Sequence, residues 1–249
     1  MNVNLELTDH CNLACRMCSQ SLRDEAHGVP MRFLDFDTWD AALRGLEGLP
    51  DVSLCPHWLG EPTLHPEFER FVAHAFALNM GNRLYRHFKL HTNAVILPEG
   101  RARALLSAAA RPDQAADTFR AVHFSIDAYS PEAYARVKGA DKRELVYRNV
   151  ERFVRMRVAS RAAYPRVHLA IVVQDGNAHE VPAFVEHWAA LLGELGQPFR
   201  LVGDWPPFDR DGIYVRRLNA GDQAAADALH ADACARVGVA VQGRVPGSF

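Results

Sequence analysis

Three cysteines fall within eight residues near the start of the chain: Cys11-Asn12-Leu13-Ala14-Cys15-Arg16-Met17-Cys18. Soft thiolates gathered on one short loop select zinc or an iron–sulfur cluster. A closed zinc site takes four ligands, commonly as two pairs. Here the other two cysteines, Cys55 and Cys234, stand alone, and His10 is adjacent to Cys11 and awkward for a tetrahedron. Three cysteines around a cubane leave one iron open to a substrate or cofactor. The five cysteines of this 249-residue chain are a poor basis for a disulfide framework. Met1–Leu7 has no basic stretch followed by a long apolar core, so no secretory signal is expected and the cytoplasm is the expected compartment.

Hydrophobic residues make up 49% and charged residues 23%, enough for a sizeable core. Lys plus Arg number 28 against 30 Asp plus Glu, so there is no net basic excess to hold nucleic acid. No apolar run reaches membrane-spanning length, and no membrane partner is expected. Strands are expected over 3–7, 51–58, 87–92, 121–127, 167–173 and 199–202. Between them the apolar spacing predicts helices over 37–46 with Asp37 as cap, over 66–79, within 102–109, around Val146–Val154 and around Val181–Leu192. Ser19–Pro30, with Gly28, reads as a polar loop. The alternation predicts an α/β fold, an incomplete parallel barrel of about six strand–helix units. It divides into a core over 1–203 and a C-terminal extension over 204–249, broken at Trp205-Pro206-Pro207, with a helix over 223–237 and a tail over 243–249.

The cysteine loop resembles that of the radical S-adenosylmethionine (radical SAM) enzymes, and other pieces follow in that family's order. Leu59-Gly60-Glu61-Pro62 looks like its Gly-Gly-Glu-Pro motif, Thr92-Asn93-Ala94 like Thr-Asn-Gly, and Phe124-Ser125-Ile126-Asp127 like its Ser-x-Asp ribose motif. Ser130-Pro131-Glu132 to Lys138-Gly139 continues in the same style, and the resemblance runs over about residues 3–200. It departs at Met17 (often aromatic), at Leu59 and at Ala94, where the family has glycine. The resemblance implies one 4Fe–4S cluster on Cys11, Cys15 and Cys18, with S-adenosylmethionine chelated to the open iron. It implies Gly60, Glu61 and Pro62 at the methionine end, Asn93 as a further cofactor contact, Ser125 and Asp127 near ribose, and Met17 and Val173 at adenine. It also implies one-electron cleavage of the sulfonium to a 5′-deoxyadenosyl radical, fed by a donor such as flavodoxin or ferredoxin. All these positions sit at predicted C-terminal strand ends, where parallel barrels bind ligands.

Strand alternation puts His123, Ser125 and Asp127 on one face, with His123 read as a satisfied core histidine. His57 and His91 also fall near the mouth and suggest a polar substrate. Gln174–Asn177 reads as a strand-to-helix turn, with Gly176 for the turn and Asn177 as cap. Asp204 and Trp205 are candidate substrate contacts. Cys55 reads as a buried hydrophobe, and Cys55 with Cys234 is too few for an auxiliary cluster of the SPASM or twitch type. Two functions are weighed. One is a radical SAM enzyme taking a hydrogen atom from a peptide or small natural product, with epimerisation, rearrangement or oxidation as outcomes. The other is a non-catalytic metal-binding or iron–sulfur electron-transfer module.

Overall fold

The computed structural model describes residues 1–19, 32–203, 205 and 208–241. The loop read from Ser19 onward falls almost wholly outside these residues, as do Asp204 and the tail from Gly243. Seven strands form one sheet: β1 (Asn2–Asn4), β2 (Ser53–Cys55), β3 (His87–Thr92), β4 (Phe119–Ser125), β5 (Arg166–Val172), β6 (Phe199–Val202) and β7 (Asp211–Arg216). Every pair is parallel and the order is β1-β2-β3-β4-β5-β7-β6. The sheet is open, with β1 and β6 at its edges, so the α/β class holds with seven strands rather than six. The unexpected strand, β7, comes from the segment after residue 203 and slots between β5 and β6. β2 is shorter than expected because Pro56 follows Cys55 and has no amide hydrogen for the ladder.

The helices are α1 (Phe36–Arg44), α2 (Phe68–Leu78), α3 (Glu99–Ala109), α4 (Pro131–Lys138), α5 (Arg143–Ala159), α6 (Val181–Glu194) and α7 (Gln223–Arg236). α1 is capped by Asp35, not Asp37: the Asp35 carboxylate accepts from the Thr38 amide at 2.8 Å, which leaves Asp37 in the first turn. α2 starts after Pro66 rather than on it. α4, absent from the sequence reading, has Ser130 as cap, Pro131 in its first turn and Gly139 at φ 73° as its left-handed stop.

Parallel strands covered on both faces read as continuous apolar runs. β3 instead alternates, His87-Phe88-Lys89-Leu90-His91-Thr92. Phe88 and Leu90 are fully buried in a core with Trp39, Phe71, Phe76 and Phe124, whereas His87, Lys89 and His91 turn to the other, polar face. That inner face continues through the register His91↔His123↔His168 and Ala170↔Tyr214. Burial of the helical side drives the fold, and the inner side is the more polar of the two.

Candidate functional site

The site is built around Glu61, whose buried carboxylate is a clamp. Its Oε1 accepts from the Thr63 amide at 3.1 Å, the Thr63 hydroxyl at 2.6 Å and the Thr92 hydroxyl at 2.7 Å, and its Oε2 from the Asn93 amide at 2.7 Å. Burial pushes this carboxyl above its ordinary range, and the four donors oppose that shift. Asn93 then reaches the cysteine loop, donating from Nδ2 to Asn12 at 2.7 Å and to Cys11 Sγ at 3.6 Å. One carboxylate thus ties the end of β3, the Gly60-Glu61-Pro62 turn and, through Asn93, the loop bearing Cys11.

Gly60 is needed for close approach: a Cβ there would stand 2.0 Å from the Thr8 carbonyl oxygen. Its amide donates to Glu6 Oε1 at 2.5 Å, as the Leu59 amide does at 2.6 Å, and the Glu61 amide donates to the His10 carbonyl at 2.8 Å. Leu59 is 39% exposed, so a side chain in place of the family's first glycine meets no obstruction. Ala94 is different. It is fully buried at φ 61°, the conformation that glycine accepts and alanine resists. Ala94→Gly is therefore expected to stabilise the fold by about 0.5 kcal/mol, the left-handed penalty less glycine's own entropy cost. Urea unfolding checks this; a lowered midpoint would contradict it.

Asp127 does not continue the face of His123 and Ser125. β4 ends at Ser125, and Asp127 at φ 66° turns its carboxylate to Lys138 Nζ at 2.7 Å and to the Val172 amide at 2.9 Å. Lys138 also donates to the Ser125 carbonyl at 2.9 Å. Asn177 stands at the cap position of the 3-10 turn Ala178–Glu180 that leads into α6, but its side chain makes no capping hydrogen bond: its Nδ2 donates to the Asp127 carbonyl at 2.6 Å and the Val172 carbonyl at 2.9 Å, joining the ends of β4 and β5. Gly176 has no positive φ; it lies where a Cβ would stand 3.2 Å from Val137, so close packing explains it. Met17 and Val173 meet across a cavity of ≈ 450 Å³, also lined by Gln174 and by Ala225 and Leu229 of α7. Gln174 Nε2 donates to Met17 Sδ at 3.5 Å. All eleven candidate residues thus lie on the cysteine loop or at the C-terminal ends of β2 to β5.

The three loop cysteines are free and partly exposed, while Cys55 and Cys234 are buried. Burial pushes the Cys11 thiol up to about 12, with Glu61 adding to the effect, and raises Cys15 as well. A cationic group is needed to draw out these thiolates. Among the described residues no three His, Cys, Asp or Glu side chains are arranged to hold a single metal ion. Three thiols spread along one loop fit a polynuclear cluster better than one zinc ion.

Below this rim, the inner face carries a row of rings. His57 stacks on His91 at 4.2 Å and His91 on His123 at 4.4 Å; His123 and His168 flank Tyr214 at 5.5 and 5.0 Å. Trp205 lies 6.4 Å from His123, and Phe208 5.2 Å from His168. His123 is not satisfied: His123 Nε2, His168 Nε2 and the Tyr214 hydroxyl are buried without a hydrogen-bond partner. The sequence reading missed His168, which lies in register with His123, and Tyr214, which lies in register with Ala170 on the same inner face. Burial, then nearby cations, pushes His57 and His168 down to about 3, and His91 and His123 lie well below their ordinary range. Unfolded imidazoles take protons near 6.5 and these do so only far lower, so the unfolded state binds more protons in between. Stability is expected to fall as pH drops from about 6.5 toward 3, by up to about 1.4 kcal/mol per pH unit for each histidine. Urea midpoints across this range test it, with His168→Phe flattening the slope; a flat profile in the parent chain would contradict it.

The family model described as the radical SAM superfamily matches residues 5–187. The chain belongs to the radical SAM superfamily. Its members are enzymes that use a 4Fe–4S cluster and S-adenosylmethionine. A curated relative from Pyrococcus furiosus, the tungsten-containing aldehyde ferredoxin oxidoreductase cofactor-modifying protein, is 23% identical over 214 residues. That match covers 84% of this chain and 52% of the relative, so the chain spans about half the relative's length. Among solved structures, anSMEcpe with bound AdoMet matches at TM-score 0.55 and 18% identity, over 86% of this chain and 51% of that one. Streptococcus suis SuiB matches at TM-score 0.55 and 12% identity, over 97% and 49%. HydG, a maturase of the [FeFe]-hydrogenase, matches at TM-score 0.52 and 13% identity, over 93% and 48%. These likenesses establish the radical SAM fold. No helix among the described residues is long and apolar enough to cross a membrane.

Proposed function

We propose that Cys11, Cys15 and Cys18 hold a single 4Fe–4S cluster and that the enzyme abstracts a hydrogen atom from a peptide or small natural-product substrate on the inner face. The observation that carries this reading is the link from Cys11 through Asn93 to Glu61, which joins the thiol loop and the Gly60-Glu61-Pro62 turn into one site. When bound, the cluster supplies one electron, taken from an external donor such as flavodoxin or ferredoxin, to cleave S-adenosylmethionine reductively. The chain's own residues orient the ligand. With the Gly60 and Glu61 amides engaged inside the chain, the Gly60 carbonyl is the acceptor offered to the amino group at the methionine end. Ser125 and the backbone fixed by Asp127 face ribose, and Met17 and Val173 enclose adenine with α7 from the C-terminal extension. His57, His91, His123 and Trp205 wall a polar substrate, and the bound peptides named in two anSMEcpe structures support the peptide class.

Anaerobic reconstitution with iron and sulfide, followed by S-adenosylmethionine and dithionite, tests this. The enzyme forms 5′-deoxyadenosine and Cys15→Ala does not. Cluster assembly without any 5′-deoxyadenosine would favour the electron-transfer module instead, and full turnover by Cys15→Ala would refute the ligand set.

A further inference from the structure

Cys15 lies between Ala14 and Arg16, and Lys138 between Val137 and Gly139. These two triplets are in direct contact. The Arg16 amide donates to the Val137 carbonyl at 3.0 Å, and a Cβ on Gly139 would stand 2.6 Å from the Ala14 carbonyl oxygen. The end of α4 therefore backs the middle of the cysteine loop.

Lys138 is 2% exposed. Its ammonium is fixed by the Ser125 carbonyl at 2.9 Å and Asp127 Oδ2 at 2.7 Å, and the Val172 amide holds the other Asp127 oxygen at 2.9 Å. It has no room to swing toward solvent, and water does not screen it. The ammonium is thus carried by the residue between Val137 and Gly139, the two positions that touch the neighbours of Cys15.

We propose that Lys138 is a positioning residue whose fixed positive charge, carried behind Cys15, sets the reduction potential of the cluster on the Cys11–Cys15–Cys18 loop. The proposal rests on the cluster reading above. The step concerned is the transfer of one electron from an external donor to the oxidised cluster, with no bond made or broken. Reduction adds negative charge beside the ammonium, so a cation held in a poorly screened interior favours the reduced state. Burial and surrounding charge are established levers on cluster potentials. The Asp127 carboxylate, of opposite charge, works in the opposite sense.

The test is an EPR-monitored redox titration of the reconstituted full chain, with dithionite as reductant and no S-adenosylmethionine. Lys138→Arg should titrate with the parent. The neutral pair Lys138→Met/Asp127→Asn should need a more negative potential, its reduced-to-oxidised ratio at the parent midpoint falling about tenfold, which is 59 mV for one electron. Asp127→Asn alone, which keeps the cation and removes its counter-charge, should shift the other way. A purely structural pair would not give shifts of opposite sign. The proposal is overturned if the neutral pair titrates with the parent, or if it folds and binds no iron while Lys138→Arg binds it. A parent chain that assembles no cluster would instead overturn the reading of the cysteine loop.

Discussion

Gly60→Ala is expected to lower the melting temperature sharply and to impair cluster assembly, although it adds one methyl group. The new carbon would lie 2.0 Å from the Thr8 carbonyl and 2.8 Å from the His10 carbonyl, both backbone atoms with no rotamer to change. Relief requires moving the segment that leads into Cys11, or breaking the Glu61 amide bond to His10 at 2.8 Å. Overpacking of this kind costs ~3 kcal/mol. Leu59→Gly, one residue away at an exposed position, is the control and should leave both readouts near those of the parent. Thermal unfolding and iron content after reconstitution measure the effect. A Gly60→Ala variant with unchanged melting and iron would mean that the turn is free to relax.

Asp211→Ala should be the most destabilising substitution far from the cysteine loop. Asp211 opens β7, is 2% exposed, pairs with Arg157 of α5 at 1% exposure, and accepts from the Val167 amide at 2.9 Å. Removing it strands a buried guanidinium and a strand amide, a loss of about 3–5 kcal/mol. The consequence reaches the site, because β7 carries Tyr214 and Arg216 on the inner face. Denaturant unfolding should show the loss, and a change below about 1 kcal/mol would contradict the account of how β7 is anchored.

The legible parts of this chain were those whose physics is local. The spacing of Cys11, Cys15 and Cys18 limited the metal chemistry, and the strands over 87–92 and 199–202 fell where the sequence placed them. The glycine expected at position 94 was a backbone requirement, which Ala94 meets at φ 61°. What was missed depended on distant partners. β7 is a six-residue strand behind Trp205-Pro206-Pro207, and only its slot between β5 and β6 makes it a strand. Asp127 left the β4 alternation because Lys138 and Val172 hold it, and neither contact has a sequence period. Asn177 takes the cap position expected of it, but its side chain ties two strand ends instead of capping.

The central claim is that the cysteine loop holds one cluster with an iron left open for S-adenosylmethionine. Its most direct test is to measure iron and the EPR spectrum of the reduced, reconstituted protein before and after adding S-adenosylmethionine. The account predicts about four irons per chain, lost in Cys15→Ala but kept in Cys55→Ala/Cys234→Ala, and a spectrum that changes when S-adenosylmethionine is added. One zinc per chain, about eight irons, or a spectrum indifferent to S-adenosylmethionine would contradict it.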